Sequence, residues 1–452
     1  MPRAQRLNGV SGAFLTAPDI FSFTPDLSEN QIMLKTTELP ATTMKEDKPQ
    51  AASRGLLLNV LSANLASSAA AVMVNITAAA HVKQVTGSAV WAAVAIVVAY
   101  LPPLFIGSYL GGLIDRKLRR SGILVAEIVS AVATVGCGAA IAVDAPLAVV
   151  LALLGFLLSI RSLAVAAVRN SLTRWMKLDA PEAVQEGRMQ MFIFTILLAL
   201  PTSGLAMGWA ASVNCPLAVS ITAAALAFHV AALGVMTRLP ARPPEAPKVV
   251  DPPNNGRQEG LLDTVRSILA DRKLGLLFVA CLFAQPVFQA AEQVLVSVKG
   301  NSLGTAAMAQ MQTAGGVGLL IGFGLLQLVR ARGVGVWTTA FVVAVGLASL
   351  VLTASFETEG SVLSAFLGMT LVYEFLDSYY FGRFFKQAPP AHVARFSITA
   401  TNLGGTLMGI SAVGFGLTID ALGFGRGAAV FVVSAVAYGL ILLWVANRFR
   451  RA

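Results

Sequence analysis

The feature that most constrains this chain is a basic turn set between two long apolar runs. From Gly107 to Leu124 it reads GSYLGGLIDRKLRRSGIL, with Arg116, Lys117, Arg119 and Arg120 crowded at its centre. Four cations at that spacing do not enter hydrocarbon, so the turn lies at a membrane surface and its flanking runs cross the bilayer. Short loops rich in Lys and Arg stay in the cytoplasm, which orients the turn. Gly107 and Gly111 form a small-xxx-small step that lets two helices approach closely. Asp115, the one acid in the turn, can pair with a cation or cap a neighbouring helix N-terminus.

Composition agrees. Of 452 residues, 56% are hydrophobic and 12% charged, against about 25% charged in a soluble domain. Mean hydropathy is +0.73. The net charge of +10 does not point to nucleic acid, because the cations sit in short loops and tails, where they follow the orientation rule and face an anionic leaflet. Cys137, Cys215 and Cys281 have no metal or disulfide spacing and read as small apolar packers. No metal or cofactor is expected. An enzyme is not expected either, since no Ser/His/Asp set or phosphate loop occurs and the chain has three histidines.

Twelve apolar spans are predicted, at about 55–80, 90–114, 123–143, 147–168, 191–211, 217–236, 274–298, 306–329, 336–355, 362–385, 397–419 and 427–445. Each approaches the roughly 20 residues a crossing needs. The fold class is therefore an all-α membrane protein, with twelve transmembrane helices in two six-helix bundles. The bundles are expected at 55–237 and 273–447. Residues 1–54 read as a disordered cytoplasmic tail, or as an over-extended start with Met44 as the alternative. No basic segment leads into an apolar core there, so no signal peptide is expected. Residues 238–272 form a proline-rich linker that ends in an amphipathic helix on the inner membrane face, and 448–452 are a basic tail. Cations cluster in every inner segment, which places both termini in the cytoplasm and the protein, as a monomer, in the cell (inner or plasma) membrane.

Polar residues inside spans mark the candidate site, because lipid penalises them unless they are paired or wet. The first span carries Asn64, Ser67 and Ser68 on one face. Arg161 lies in the fourth, past the midplane toward the cytoplasm. Residues 169–189 read as a cytoplasmic loop holding Arg169, Arg174, Lys177 and Arg188. In the fifth span Pro201 and Gly204 mark a kink. His229 in the sixth reads as a packed or interfacial histidine. The seventh span has Gln285, Gln289 and Glu292 along one face. The tenth is the most polar, with Tyr373, Glu374, Asp377 and Tyr380. Two acids at that depth are costly unless protonated, paired or hydrated, so they are candidate proton carriers.

The basic turn resembles the signature loop between the second and third helices of the major facilitator superfamily. Gly111, Leu113, Asp115, Arg116, Arg119 and Arg120 match that pattern, and Leu118 replaces its usual glycine. The resemblance extends over about 55–447. It looks closest to the branch that includes enterobactin-type siderophore exporters and small-molecule efflux pumps. It implies two bundles rocking about a cavity lined by the first, fourth, seventh and tenth helices. By that analogy Asn64, Arg161, Gln285, Gln289, Tyr373 and Tyr380 bind solute, Glu374, Asp377 and Glu292 handle protons, and Gly107, Gly111, Asp115, Arg116, Arg119 and Arg120 form the conformational motif. Exporters of the family often carry Gly-Pro-x-x-Gly in the fifth helix, and Pro201 and Gly204 keep part of it. The expected function is proton-coupled export of a small organic solute (a drug, metabolite or siderophore). The alternatives are an importer of an anionic nutrient and a non-transporting membrane scaffold.

Overall fold

The computed structural model describes residues 54–117, 119–142, 146–178, 182–213, 217–241, 260–284, 287–288, 290–291, 294, 305–330, 335–355 and 359–451. The tail, most of the linker, Gln285, Gln289 and Glu292 lie outside the described residues, as do the side chains of Asp115 and Arg116.

The described chain is helical. In order it forms α1 (Arg54–Thr86), α2 (Ala89–Lys117), α3 (Arg120–Ala142), α4 (Leu147–Leu178), α5 (Glu182–Leu197), α6 (Ala199–Ser212), α7 (Leu217–Met236), α8 (Leu261–Ala270), α9 (Arg272–Ala284), α10 (Thr305–Arg330), α11 (Val336–Ser355), α12 (Glu359–Gln387), α13 (Val393–Leu422) and α14 (Phe424–Arg451). With α5 and α6 taken as two parts of one interrupted span, this is the order of the predicted crossings. Among the described residues, eight helices are long and apolar enough to cross a bilayer. At 29 residues α12 spans about 43 Å, but its polar side chains set it apart from those eight.

Burial is inverted relative to a water-soluble protein. Phe105, Val132, Phe156, Trp337 and Phe341 face outward, while Glu127, Arg161 and Glu374 are buried. That pattern suits a molecule whose outer solvent is lipid and whose polar groups must find partners inside. The chain is a multi-pass membrane protein.

Local backbone chemistry shapes two helices. Pro102 lacks the N–H that would bond the Val98 carbonyl. The Ser159 hydroxyl reaches that oxygen from α4 at 3.0 Å, so α2 stays helical through its two prolines. Pro201 withholds a donor from Leu197 in the same way, and there the span divides at Leu198.

The two halves meet along a seam between α2 and α13, with further contact of α6 on α10 and α5 on α12. The seam depends on missing side chains. A Cβ on Gly107 would overlap Asn402 and Ile398, and one on Gly111 would overlap the Arg395 backbone. The small-residue step thus serves contact between halves. Asn402 Nδ2 donates to the Pro103 carbonyl at 2.6 Å, and Ser108 meets Thr399 at 3.3 Å. At the opposite end of the seam, Asp420 accepts from Ser88 Oγ at 2.8 Å and from the Val90 amide at 3.4 Å. This places a carboxylate at the N-terminus of α2, where the helix dipole favours it.

The expected 169–189 loop is largely helical. α4 continues to Leu178 and α5 begins at Glu182. Arg174 and Lys177 are buried rather than solvated. Their burial is compensated because backbone carbonyls at neighbouring helix ends accept hydrogen bonds from them. Arg174 Nη1 donates to the Ile114 carbonyl at 2.6 Å, and Lys177 Nζ to the Phe385 carbonyl at 2.5 Å and to that of Ala388. The short helix α8 forms where the amphipathic segment was expected, with Thr264 and Ile268 buried and Leu262 and Leu269 exposed.

Candidate functional site

A cavity of about 170 Å³ lies between the halves. Helices α1, α4 and α5 wall it on one side and α10, α12 and α13 on the other. Its charged lining residues, among those described, are Arg161, Arg169 and Asp377. Asn75, Asn170, Gln312, Tyr373 and Asn402 add polar groups, and Val72, Ile76, Ile193, Ile196, Phe381 and Phe385 add apolar wall.

Arg161 is 1% exposed. Its Nη1 donates to the Ala71 carbonyl at 2.7 Å, and its Nη2 donates to Asn75 Oδ1. Both partners lie on α1, so the guanidinium joins α1 to α4 while fronting the cavity. Eight residues along α4, roughly 12 Å at 1.5 Å per residue, Arg169 fronts the same space and acts electrostatically on Asp377 of α12. Beside Arg169, the Asn170 amide is oriented by its own helix. Nδ2 donates to the Ala166 carbonyl at 2.7 Å, which leaves Oδ1 as the end without a hydrogen-bond partner. Asp377 Oδ1 and Gln312 Oε1 are likewise buried with no partner. Lone buried acceptors are costly in a dry interior, and these three border one cavity.

Other expected site residues are placed differently. Asn64 does not line the cavity. Its Nδ2 bonds the Phe192 carbonyl at 3.2 Å and Thr195 Oγ1 at 2.9 Å, tying α1 to α5. Glu374 is fully buried, accepts from Ser378 Oγ at 2.6 Å, and packs where Gly322 of α10 leaves room. Tyr380 stacks edge-on with Tyr379, outside the lining. Asn64 of α1 and Glu374 and Tyr380 of α12 thus turn away from the lining. Pro201 fits into the notch left by Gly316 of α10, and Gly204 is buried one turn on. Arg120 Nη1 donates to the Thr237 and Leu239 carbonyls at 2.9 Å each, closing the C-terminal end of α7, while Arg119 is exposed.

The basic end of the molecule is drawn together beneath the cavity. Besides Lys177 on the end of α12, Glu186 of α5 lies 3.8 Å from both Arg383 and Lys386. These pairs join opposite halves. Phe194 of α5 stacks on Phe323 of α10 at 4.3 Å.

A second buried polar group joins His229, read from the sequence as a packed or interfacial histidine, to Glu127, which that reading passed over. Glu127 of α3 and His229 of α7, both 0% exposed, meet at 2.7 Å through Oε1 and Nδ1. Ser67 Oγ of α1 donates to Glu127 Oε2 at 2.8 Å, and His229 Nε2 meets Thr134 Oγ1 at 3.1 Å. This network stands apart from the cavity lining and fastens three helices of the N-terminal half.

No family model matches the sequence, and no curated protein matches it. Solved structures do match. A bacterial homologue of the iron transporter ferroportin in an outward-facing state aligns with a TM-score of 0.62 at 15% identity, over 89% of this chain and 100% of that one. The human organic anion transporter MFSD10 aligns with a TM-score of 0.63 at 14% identity, over 86% and 99%. The E. coli fucose:proton symporter FucP aligns with a TM-score of 0.60 at 14% identity, over 86% and 97%. At such identities the likeness speaks for architecture, and the architecture is the major facilitator fold.

Proposed function

We propose that the protein is a secondary transporter that moves a small organic solute by alternating access. The observation that carries this reading is the cavity between the halves, bounded by Arg161, Arg169 and Asp377 and sealed at the basic end by Lys177 and Glu186. Ionised groups at that depth are tolerated where they are paired or meet water and polar cargo. The similar structures include a fucose:proton symporter and an organic anion transporter, which is consistent with a polar solute.

Protons are the coupling ion in this proposal, and Asp377 is their carrier at the cavity wall. Glu374, one position removed from the lining, exchanges protons through Ser378. Export is the proposed direction, on the strength of Pro201 and Gly204 in the divided fifth span. The basic end then faces the cytoplasm. Siderophore-sized cargo fits the cavity poorly, so a compact metabolite is favoured.

The test uses everted membrane vesicles carrying the protein and an acridine dye that reports the proton gradient. Addition of a transported solute dissipates the gradient in wild-type vesicles. Asp377→Asn and Glu374→Gln together abolish the response. A full response in that double variant removes the proton-carrier assignment, and a response confined to right-side-out vesicles reverses the direction.

A further inference from the structure

We infer that the cargo is a compact zwitterion with an apolar body, a solute of the amino-acid class carrying one carboxylate and one protonated amine. The inference rests on the transporter reading above and adds the chemistry of the cargo.

Three properties of the cavity lead there. The first is charge. Arg161 and Arg169 exceed Asp377 by one cation among the described lining residues, and a concave wall with a net charge favours the opposite charge. A carboxylate answers that field. The second is the set of lone acceptors. Asp377 Oδ1 and Asn170 Oδ1 are each more than nine-tenths buried and have no hydrogen-bond partner, and both residues border the cavity. An ionised carboxylate and an amide oxygen can only accept, so the cargo must bring donors. A protonated amine brings up to three N–H groups on one centre and adds a charge to meet Asp377. The third is the remaining wall. Val72, Ile76, Ile193, Ile196, Phe381 and Phe385 offer no polar side-chain atom, so the body between or beside the two charges is hydrocarbon. A volume near 170 Å³ is small beside the roughly 300–1,000 Å³ of pockets for drug-sized ligands.

The same geometry gives an exchange rule. Asp377 can hold a proton or accept from the amine, and it cannot do both with the same oxygen. A proton arriving at Asp377 removes the negative charge that meets the amine and so loosens it, and departure of the proton restores that charge.

The test starts from the wild-type protein and adds one variant. Purified protein in lipid nanodiscs is titrated calorimetrically with L-leucine and four matched analogues. 4-Methylpentanoate lacks the amine, 3-methylbutylamine lacks the carboxylate, and 2-hydroxy-4-methylpentanoate replaces the amine by a hydroxyl. Leucine is expected to bind roughly a hundredfold more tightly than 4-methylpentanoate, since a site built to bond an N–H rejects a ligand lacking it, and more tightly than 3-methylbutylamine, which leaves the excess cation unanswered. N,N,N-trimethyl-leucine, which keeps the charge and loses every N–H, is expected to fall with them. In Asp377→Asn, leucine affinity drops at least tenfold while that for 4-methylpentanoate does not fall. Tighter binding of the acid or the hydroxy acid overturns the zwitterion, as does absence of leucine binding. If one of those acids also dissipates the proton gradient in vesicles, the transporter reading stands without the zwitterion. Leucine that binds but never crosses the bilayer supports the cargo chemistry and removes the transporter reading.

Discussion

Glu127 and His229 meet at 2.7 Å with neither side chain exposed, on helices α3 and α7. Ser67 of α1 donates to Glu127 as well, so the pair ties together three helices of the N-terminal half. Removing one member leaves the other buried without its partner, which costs roughly 3–5 kcal/mol. Glu127→Leu and His229→Leu should each lower unfolding stability in mixed micelles by about that much. The double variant should cost less than the two added together, with a coupling of order 1–3 kcal/mol. Additive losses would mean that the two side chains stabilise the bundle independently.

Lys177 holds the end of α12 through the Phe385 and Ala388 carbonyls. A hydrogen bond from a charged donor contributes about 1.5–3 kcal/mol, and this one exists only while the basic end is closed. Lys177→Met should shift the closed-to-open ratio about tenfold toward open, 1.4 kcal/mol being a factor of ten. Spin labels at the exposed positions Val184 and Gln387 report it as a longer distance population by double electron–electron resonance. An unchanged distance distribution would show that Lys177 does not hold the closed state.

Gly111 and Gly112 offer a matched comparison. A Cβ at 111 would overlap the Arg395 backbone, whereas one at 112 meets only the Arg395 guanidinium at 3.9 Å, an ordinary contact. Gly111→Val should open the basic end in the same spin-label experiment, by an overpacking penalty of about 1–3 kcal/mol. Gly112→Val should leave it closed. Equal effects would mean that helix propensity, not the approach of α2 to α13, decides the outcome.

Ser159 stands in for an amide. Its hydroxyl lies 3.0 Å from the Val98 carbonyl and 2.7 Å from that of Gly155. Ser159→Ala should cost ~1 kcal/mol, in the range for interhelical bonds in membranes. Adding Pro102→Ala supplies the missing N–H to Val98 and should recover most of the loss, as read by thermal unfolding in detergent. No recovery would place the role of Ser159 with Gly155 instead.

The crossings and their order were legible because the length of an apolar run is a one-dimensional property. Arg161 and Asp377 were legible for a related reason: a charge within such a run needs an explanation. Lys177 and Arg174 were not. A cation that follows an apolar run reads as a surface residue, and only the fold reveals that carbonyls from other helix ends surround it. Glu127 left a usable signal, an acid seven residues inside α3, and the rule applied to the fourth and tenth spans would have found it. The direction of Glu374 was beyond reach. One step along a helix turns a side chain by about 100°, and which neighbour it then meets depends on crossing angles that no local pattern encodes.

The glycine stripe of α2 has a mechanical meaning. Where α2 lies on α13, Gly107 meets Asn402 and Ile398, Gly111 meets the Arg395 main chain, and Ser108 meets Thr399, so side chains are missing or short along one side of the contact. Rotation of one rod upon the other along such a line displaces few interdigitated rotamers, and its frictional cost is correspondingly low. The seam can act as the bearing on which the two halves turn while the gates on either side of it open and shut.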